Sequence, residues 1–272
     1  MSAVGNVVPD GLARVRYEVM TYFRQGDAVF FTFLFPAVML TIFSTAFSEA
    51  SFGTDADGND VSAAAFYLPA MLAAGLLLSG LQNMAIDIAG EKSDGTLKRF
   101  AGTPLPVLSY FIGKIGQVLV TGILQAALLL AVAAIVFRVP LPTDADHWFT
   151  FAWVFLLGVI TSAVLGIALS GLPRSGKSAT AVIIPIALVL QFISGVYLGF
   201  AQLPEWLQNF ASIFPLKWMA QGMRSVFLPD GYKSLEVGGS WDLAGVALVT
   251  GIWFIAGLIV CRLTFRWIRK DS

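Results

Sequence analysis

Two stretches of this sequence hold residues whose types and spacing are capable of chemistry. The first, Gly171 to Ser178, fits the phosphate-binding pattern G-x-x-x-x-G-K-[ST], with Gly171, Gly176, Lys177 and Ser178 in register. That pattern cradles a nucleotide only where a buried strand delivers the glycines to the first turn of a helix, so that backbone N–H groups surround the phosphates. Here long apolar runs flank the loop on both sides, and Pro173 removes a backbone donor from it. The match therefore reads as a short turn anchored by Arg174 and Lys177.

The second stretch, Gly90 to Pro106, crowds Glu91, Lys92, Asp94, Lys98 and Arg99 together in an otherwise apolar chain. Leu97 and Phe100 are spaced to face the membrane or a partner from one side of a short helix. Gly95 permits a break from the helix before it, and Pro104 and Pro106 end it before the next. Such a helix suits a docking peg for a cytoplasmic protein; a charged loop capping two helices is the plainer alternative. His147 is the single histidine and Cys261 the single cysteine. Neither an intrachain disulfide, nor a metal site, nor a nucleophile–base pair is expected from them.

The elements that position these residues follow from composition. Of 272 residues, 57% are hydrophobic and 12% charged, against roughly 45–50% and about 25% in a soluble domain. A span needs roughly 20 apolar residues, and six stretches qualify: Ala28–Ser48, Ala63–Ile88, Ile115–Phe137, Trp148–Leu172, Ala179–Phe200 and Leu243–Phe265. Backbone groups in lipid must pair within their own segment, so these are helices. Pro36, Pro69 and Pro185 fall inside them. The fold class is an all-α polytopic membrane protein, one domain over residues 1–272 with six transmembrane helices and no secretory signal at its start.

Lysine and arginine set the orientation. Arg14, Arg16, Arg24, Lys92, Lys98, Arg99, Lys114, Arg174, Lys177, Arg262, Arg266, Arg269 and Lys270 lie on the side of the termini. Arg138, Lys217, Arg224 and Lys233 lie opposite. Thirteen against four, of 17 in all, predicts both termini in the cytoplasm and a multi-pass protein of the cell membrane. Acids from Glu49 through Asp60, with Asp144 and Asp146, fall on the outer side. Residues 10–26 carry Leu12, Val15, Val19, Tyr22 and Phe23 at helical spacing, with Arg14, Glu18, Thr21 and Gln25 on the other face. That pattern predicts an N-terminal helix lying in the cytoplasmic interface. Residues 201–242, with Trp206, Leu207, Phe210, Ile213, Phe214 and Trp218, predict short helices in the outer leaflet between spans five and six.

The run from Glu91 to Arg99, then Thr103 and Pro104, then Gly113 and Lys114, resembles the cytoplasmic coupling segment of the ABC type-2 exporter permeases, whose pattern is roughly E-[RK]-x-x-G-T-L-x-[RH], T-P, G-K. Arg24, Asp27 and Pro36 are similar to that family's first span. Ser194, Gly195, Leu203, Pro204, Trp206, Leu207, Pro215, Leu216 and Arg224 are similar to its fifth span and the segment after it. The resemblance implies a permease subunit that is not itself an enzyme and binds no cofactor. ATP and magnesium would sit on a separate ATP-binding cassette subunit. Two permease chains, identical or related, would pair in the lipid, with no role for nucleic acid.

By the same resemblance, the coupling segment 90–104 contributes Glu91, Gly95, Thr96, Lys98 and Arg99 at or beside the cassette contact, with Glu91 and Arg99 as charged contacts across it. Thr103 and Pro104 would set the turn into the third span. Arg14, Arg16 and Glu18 would come from the interfacial helix. Lys92 stands where the family often has arginine, which keeps the charge but loses the bidentate fork.

The substrate path is expected between the second and fifth spans, which face the dimer axis in that family. Polar residues within spans tend to face protein or a cavity, which points to Gln82, Asn83, Asp87 and Gln191. Phe66, Tyr67, Phe192 and Tyr197 would supply an aromatic surface. The plainer reading of each is an interhelical hydrogen bond or a packing ring. The overall pattern is closest to the drug- and antibiotic-resistance branch, implying export of an amphipathic small molecule such as a drug, an antibiotic or a lipid-like metabolite. Polysaccharide or glycolipid export is the alternative within the family. A proton- or sodium-driven secondary transporter is the alternative outside it, but such proteins usually carry acids or histidines deep in the spans and internal repeats.

Overall fold

The computed structural model describes residues 7–50, 52–53, 60–173, 175–236 and 238–264. Arg174, Phe265, Arg266, Arg269 and Lys270, and most of the acid-rich stretch before Asp60, lie outside the described residues. Among the described residues, ten helices carry the fold: α1 (Val7–Phe23), α2 (Gly26–Ala46), α3 (Ala63–Ser93), α4 (Thr96–Ala101), α5 (Val107–Val136), α6 (Ala145–Leu169), α7 (Gly176–Ile193), α8 (Glu205–Ala211), α9 (Pro215–Phe227) and α10 (Leu243–Thr264). Helices α2, α3, α5, α6, α7 and α10 are long and apolar enough to cross a membrane. They are the six spans expected. With six spans, Gly26 at the start of the first and Thr264 at the end of the last share one face, called proximal below; the opposite face is distal.

Span boundaries differ from the hydropathy reading at two places. The third span starts at Val107 rather than Ile115, because Ser109, Tyr110 and Lys114 are buried against α1 and need no water. The fifth span stops at Ile193 rather than Phe200, because Gly195 takes a positive φ of 77° and turns the chain. That left-handed conformation is one glycine adopts without steric cost. Pro36, Pro69 and Pro185 all lie inside helices, as expected.

Helix α3 is the axis of the bundle. Leu68, Leu72, Leu76, Leu81, Ala85 and Ile88 are all buried along its length, while α2, α7 and α10 present mostly exposed apolar faces. Lipid provides little hydrophobic drive between helices, so close approach through small residues has to do that work. Gly158, Ser162 and Gly166 recur every fourth position of α6 and supply it. A side chain at Gly166 would run into the Gly80 carbonyl, and one at Gly80 into Ser162. Where these helices cross, α3 widens into a π-helical segment, Leu77–Asn83.

The segment expected as outer-leaflet short helices forms α8, α9 and two 3-10 turns, Phe200–Gln202 and Asp230–Leu235. Its α8 leaves Trp206 and Phe210 exposed. By contrast α9 is buried over nearly its whole length, wedged against α3, α6 and α10 from the distal side. Lys217 and Arg224, counted in the sequence among the outer-side charges, are therefore inside the protein. The Lys217 ammonium donates to the Gln221 carbonyl oxygen and sits 3.6 Å from the Trp218 ring centroid. Arg224 makes a two-pronged ion pair with Glu236, its Nη2 donating to Oε2 at 3.1 Å.

Candidate functional site

Helix α4 is the charged peg read from the sequence, and its geometry follows from three local devices. Helix α3 runs on to Ser93, and Gly95, with φ of 81°, turns the chain into α4. Asp94 Oδ1 accepts the Thr96 N–H at 2.8 Å, closing the first turn. Slight desolvation at Asp94 is outweighed by the Thr96 bonds and the nearby Arg99 charge, which hold its carboxyl below the usual carboxylate range. At the far end the Thr103 hydroxyl donates to the Phe100 carbonyl at 2.7 Å.

The two apolar residues of α4 do not face outward. Leu97 is buried in the core and Phe100 packs against it, so both anchor the peg to the bundle rather than reaching for lipid or a partner. The face left exposed carries Lys98 and Arg99, with Thr103 and Pro104 beside it and Arg16 exposed on α1. Arg99 Nη2 donates to Thr96 Oγ1 at 3.0 Å.

The remaining sequence candidates form a buried ion network beneath that face. Arg14 pairs with Glu18 at 2.6 Å, Glu18 with Lys114 at 2.9 Å, and Lys114 with Glu91 at 2.7 Å. The Tyr110 hydroxyl donates to the other Glu91 oxygen at 2.6 Å. Glu91 thus has both oxygens engaged within the chain. The Arg14 guanidinium lies 4.4 Å from the Phe100 ring centroid, stacking α1 onto α4. Two cations balance two carboxylates here, and the chain joins α1, α3, α4 and α5. A polar cavity of about 350 Å³ opens beside it, lined by Asp87, Tyr22, Gln25 and Gln117 as well as Glu18, Glu91 and Lys114. Sequence reasoning took Lys114 as a topogenic charge and as part of the Gly113–Lys114 motif, gave it no ion-pairing role, and missed Tyr110; their signal is the four-residue spacing that puts both on one face of α5.

The aromatic candidates converge at the other end of the bundle. Phe66, Tyr67, Phe192 and Tyr197 line one cavity of about 710 Å³ between α2, α3 and α7. Ring pairs line its wall: Phe43 stacks on Tyr67 at 4.8 Å, and Phe192 meets Tyr197 at 5.0 Å. Gln191 does not line it, but accepts the Tyr197 hydroxyl at 2.5 Å and fixes that ring. Gln82 and Asn83 lie elsewhere, in the π-helical segment, where Asn83 donates to Thr32 at 2.8 Å and ties α3 to α2. The residues missed were Phe35, Met39 and Phe43 on α2 and Phe47 just past its end, which complete the cavity from that side. Their four-residue spacing marks a single helical stripe.

The Gly171–Ser178 loop joins two spans. Ser175 caps α7, its side chain accepting the Ser178 N–H at 3.2 Å while the Ser178 hydroxyl accepts the Ser175 N–H at 3.0 Å. This capping box engages donors that a phosphate would need, and a helix rather than a strand precedes the loop.

Comparison with known proteins agrees with this architecture. The family described as "ABC-2 family transporter protein" matches residues 51–261. Over 186 residues, 68% of this chain and 50% of the relative, the chain is 22% identical to the probable multidrug ABC transporter permease YbhR of Escherichia coli strain K12. The protein of the same name from Escherichia coli O157:H7 matches equally. The chain spans about half the length of these curated relatives. A shorter stretch of 120 residues, 44% of this chain and 24% of the relative, is 29% identical to the Na(+)/H(+) antiporter NhaA of Rhodospirillum rubrum. With the family match running over well more than half of its length, this six-span membrane protein belongs to the ABC-2 transporter family, as a permease.

Proposed function

We propose that this chain is the membrane subunit of an exporter powered by a separate ATP-binding cassette protein, and that it moves an amphipathic, aromatic-compatible small molecule. The observation that carries this reading is the peg α4. Its inner face is locked into the core through Leu97 and Phe100, while its outer face offers Lys98 and Arg99. A rigidly mounted basic helix transmits a push better than a loop does. The excess of lysine and arginine on the proximal face supports a cytoplasmic location for it. ATP and magnesium belong to the cassette, and this chain hydrolyses nothing.

The aromatic cavity is the proposed substrate path. Its rings and the polar Tyr197–Gln191 pair suit a molecule with a flat apolar body, as drugs, antibiotics and lipid-like metabolites have. The name carried by the Escherichia coli relative supports the same class. Exposed apolar faces on α2 and α7 flank the cavity, and we assign them to a second permease chain.

The test is to purify the tagged protein gently from its membrane and assay vanadate-sensitive ATP hydrolysis with and without what travels with it. A soluble cassette ATPase that co-purifies, with the isolated chain inactive, is the expected result. A chain that travels alone, with no hydrolysis in its fractions, contradicts the reading. Accumulation of a lipid-linked glycan on deletion, without any change in drug sensitivity, would move the assignment to glycolipid export.

A further inference from the structure

The aromatic cavity does not end at its rings. A second chamber of about 350 Å³ adjoins it on the distal side, and Phe52, Phe66, Gly199 and Gln202 line both. The two are therefore adjacent across a shared wall, but their linings differ in kind. The first is walled by rings; the second brings in the Arg224–Glu236 ion pair and Tyr232. Tyr232 is 6% exposed and its ring lies 6.2 Å from that of Phe66. Its hydroxyl is buried and has no hydrogen-bond partner among the described residues. The hydroxyl lies toward the Gly53 wall of the chamber, since a Cβ placed on Gly53 would come within 3.3 Å of it.

An orphaned buried hydroxyl is costly: desolvation without a partner runs to about 1–3 kcal/mol, and such groups in folded proteins call for an explanation. Phenylalanine would fill the same space without that cost. Burial also pushes the Tyr232 phenol up to about 12, so at neutral pH it keeps its proton and can only be offered as a donor or a neutral acceptor. The guanidinium beside it is neutralised by Glu236. Together these groups make a site that is polar but not strongly charged, at the end of an apolar cavity.

We propose that Tyr232 is the head-group donor of the transport path: the substrate lays a flat apolar body among the cavity rings and places a neutral oxygen acceptor, such as a ketone, ester or amide carbonyl, in the second chamber against the Tyr232 hydroxyl. This deepens the substrate-path reading above and rests on it. It narrows the substrate class from any amphipathic molecule to one with an acceptor at the end of a rigid apolar body.

The test uses two dyes that differ only in the acceptor. One is 2-dimethylamino-6-propionylnaphthalene, whose ketone emission shifts to the red on receiving a hydrogen bond; the other is 2-dimethylaminonaphthalene, which lacks the ketone. Binding of each to the full chain in lipid nanodiscs is measured against empty discs, for wild type, Tyr232→Phe and Phe192→Ala. Tyr232→Phe removes only an unpartnered oxygen, so it leaves the fold intact. It is expected to weaken the ketone dye about threefold to tenfold, shift its bound emission to the blue, and leave the other dye unchanged. Phe192→Ala is expected to weaken both. If Tyr232→Phe affects neither dye, or both equally, while Phe192→Ala weakens both, the head-group assignment is overturned and the aromatic path stands. If Phe192→Ala changes neither, the path itself is wrong and the assignment falls with it.

Discussion

The protein buries charge at both faces, and the two clusters are built differently. The proximal one links residues far apart in sequence: Glu18, Glu91 and Lys114 come from α1, the end of the second span and the start of the third. Arg14 extends it to the peg through Phe100. The distal one is local. Arg224 and Glu236 are neighbours in a single segment, and Lys217 and Gln221 are one turn apart on α9. A network that spans several elements forces them to move together, so displacement of α4 reaches the spans. A local pair stiffens one wedge, which can shift relative to the bundle without breaking its own contacts. Under the exporter reading proposed above, the first cluster is the transmitting end and the second the receiving end, and five variants test that division.

Lys114→Met should have the largest effect. It leaves both Glu18 and Glu91 without their shared ammonium, and removing one partner of a buried pair costs about 3–5 kcal/mol. A collapse in yield or in thermal midpoint in detergent is expected; a midpoint close to wild type would show that the network carries little. Glu236→Gln should cost less, about 1–3 kcal/mol, because the amide oxygen still accepts from Arg224. Replacing the pair together, by Arg224→Met with Glu236→Leu, should recover most of that loss, since a local pair is exchangeable for apolar packing. If the double variant is worse than the single one, the distal pair is not local in the sense argued.

Lys217 gives a pH signature confined to the distal wedge. Burial lowers its ammonium to about 8, with Glu236 raising it, Arg224 lowering it and Asp242 raising it in smaller measure. The unfolded chain holds that proton up to the ordinary lysine value, about 10.4. Between those limits the unfolded state binds more protons, so stability should rise with pH from about 8 to about 10.4. Thermal midpoints across that window read the slope, and Lys217→Met should flatten it. An unchanged slope in that variant would assign the effect elsewhere. The smallest effect on stability is expected for Lys98→Ala with Arg99→Ala, within about 0.5 kcal/mol, because both side chains are exposed.

The spans, the peg and its glycine hinge were legible in the sequence because bilayer physics leaves so few options: apolar length, helix, and a stop at Gly95 and Pro104. The aromatic residues Phe66, Tyr67, Phe192 and Tyr197 were legible for a similar reason, as rings at membrane depth. What sequence could not resolve was which way a charged or apolar side chain turns near an interface. Leu97 and Phe100 had the pattern of an outward face, and it was packing beneath α4 that turned them in. Lys217 and Arg224 were counted as outer-side charges because nothing in their own segment reveals that α9 folds back into the bundle. The stripe Phe35, Met39, Phe43 and Phe47 was readable from spacing alone, but every face of an apolar span looks alike until a neighbour is known.

The most direct test of the account is whether the exposed basic end of α4, and not the buried network beneath it, carries the signal. Cassette ATPase activity should be measured with the permease in lipid nanodiscs, comparing wild type with Lys98→Glu plus Arg99→Glu at matched thermal midpoints. The account predicts that the double variant leaves hydrolysis at the level of the isolated cassette. Full permease-dependent hydrolysis in that variant would contradict it.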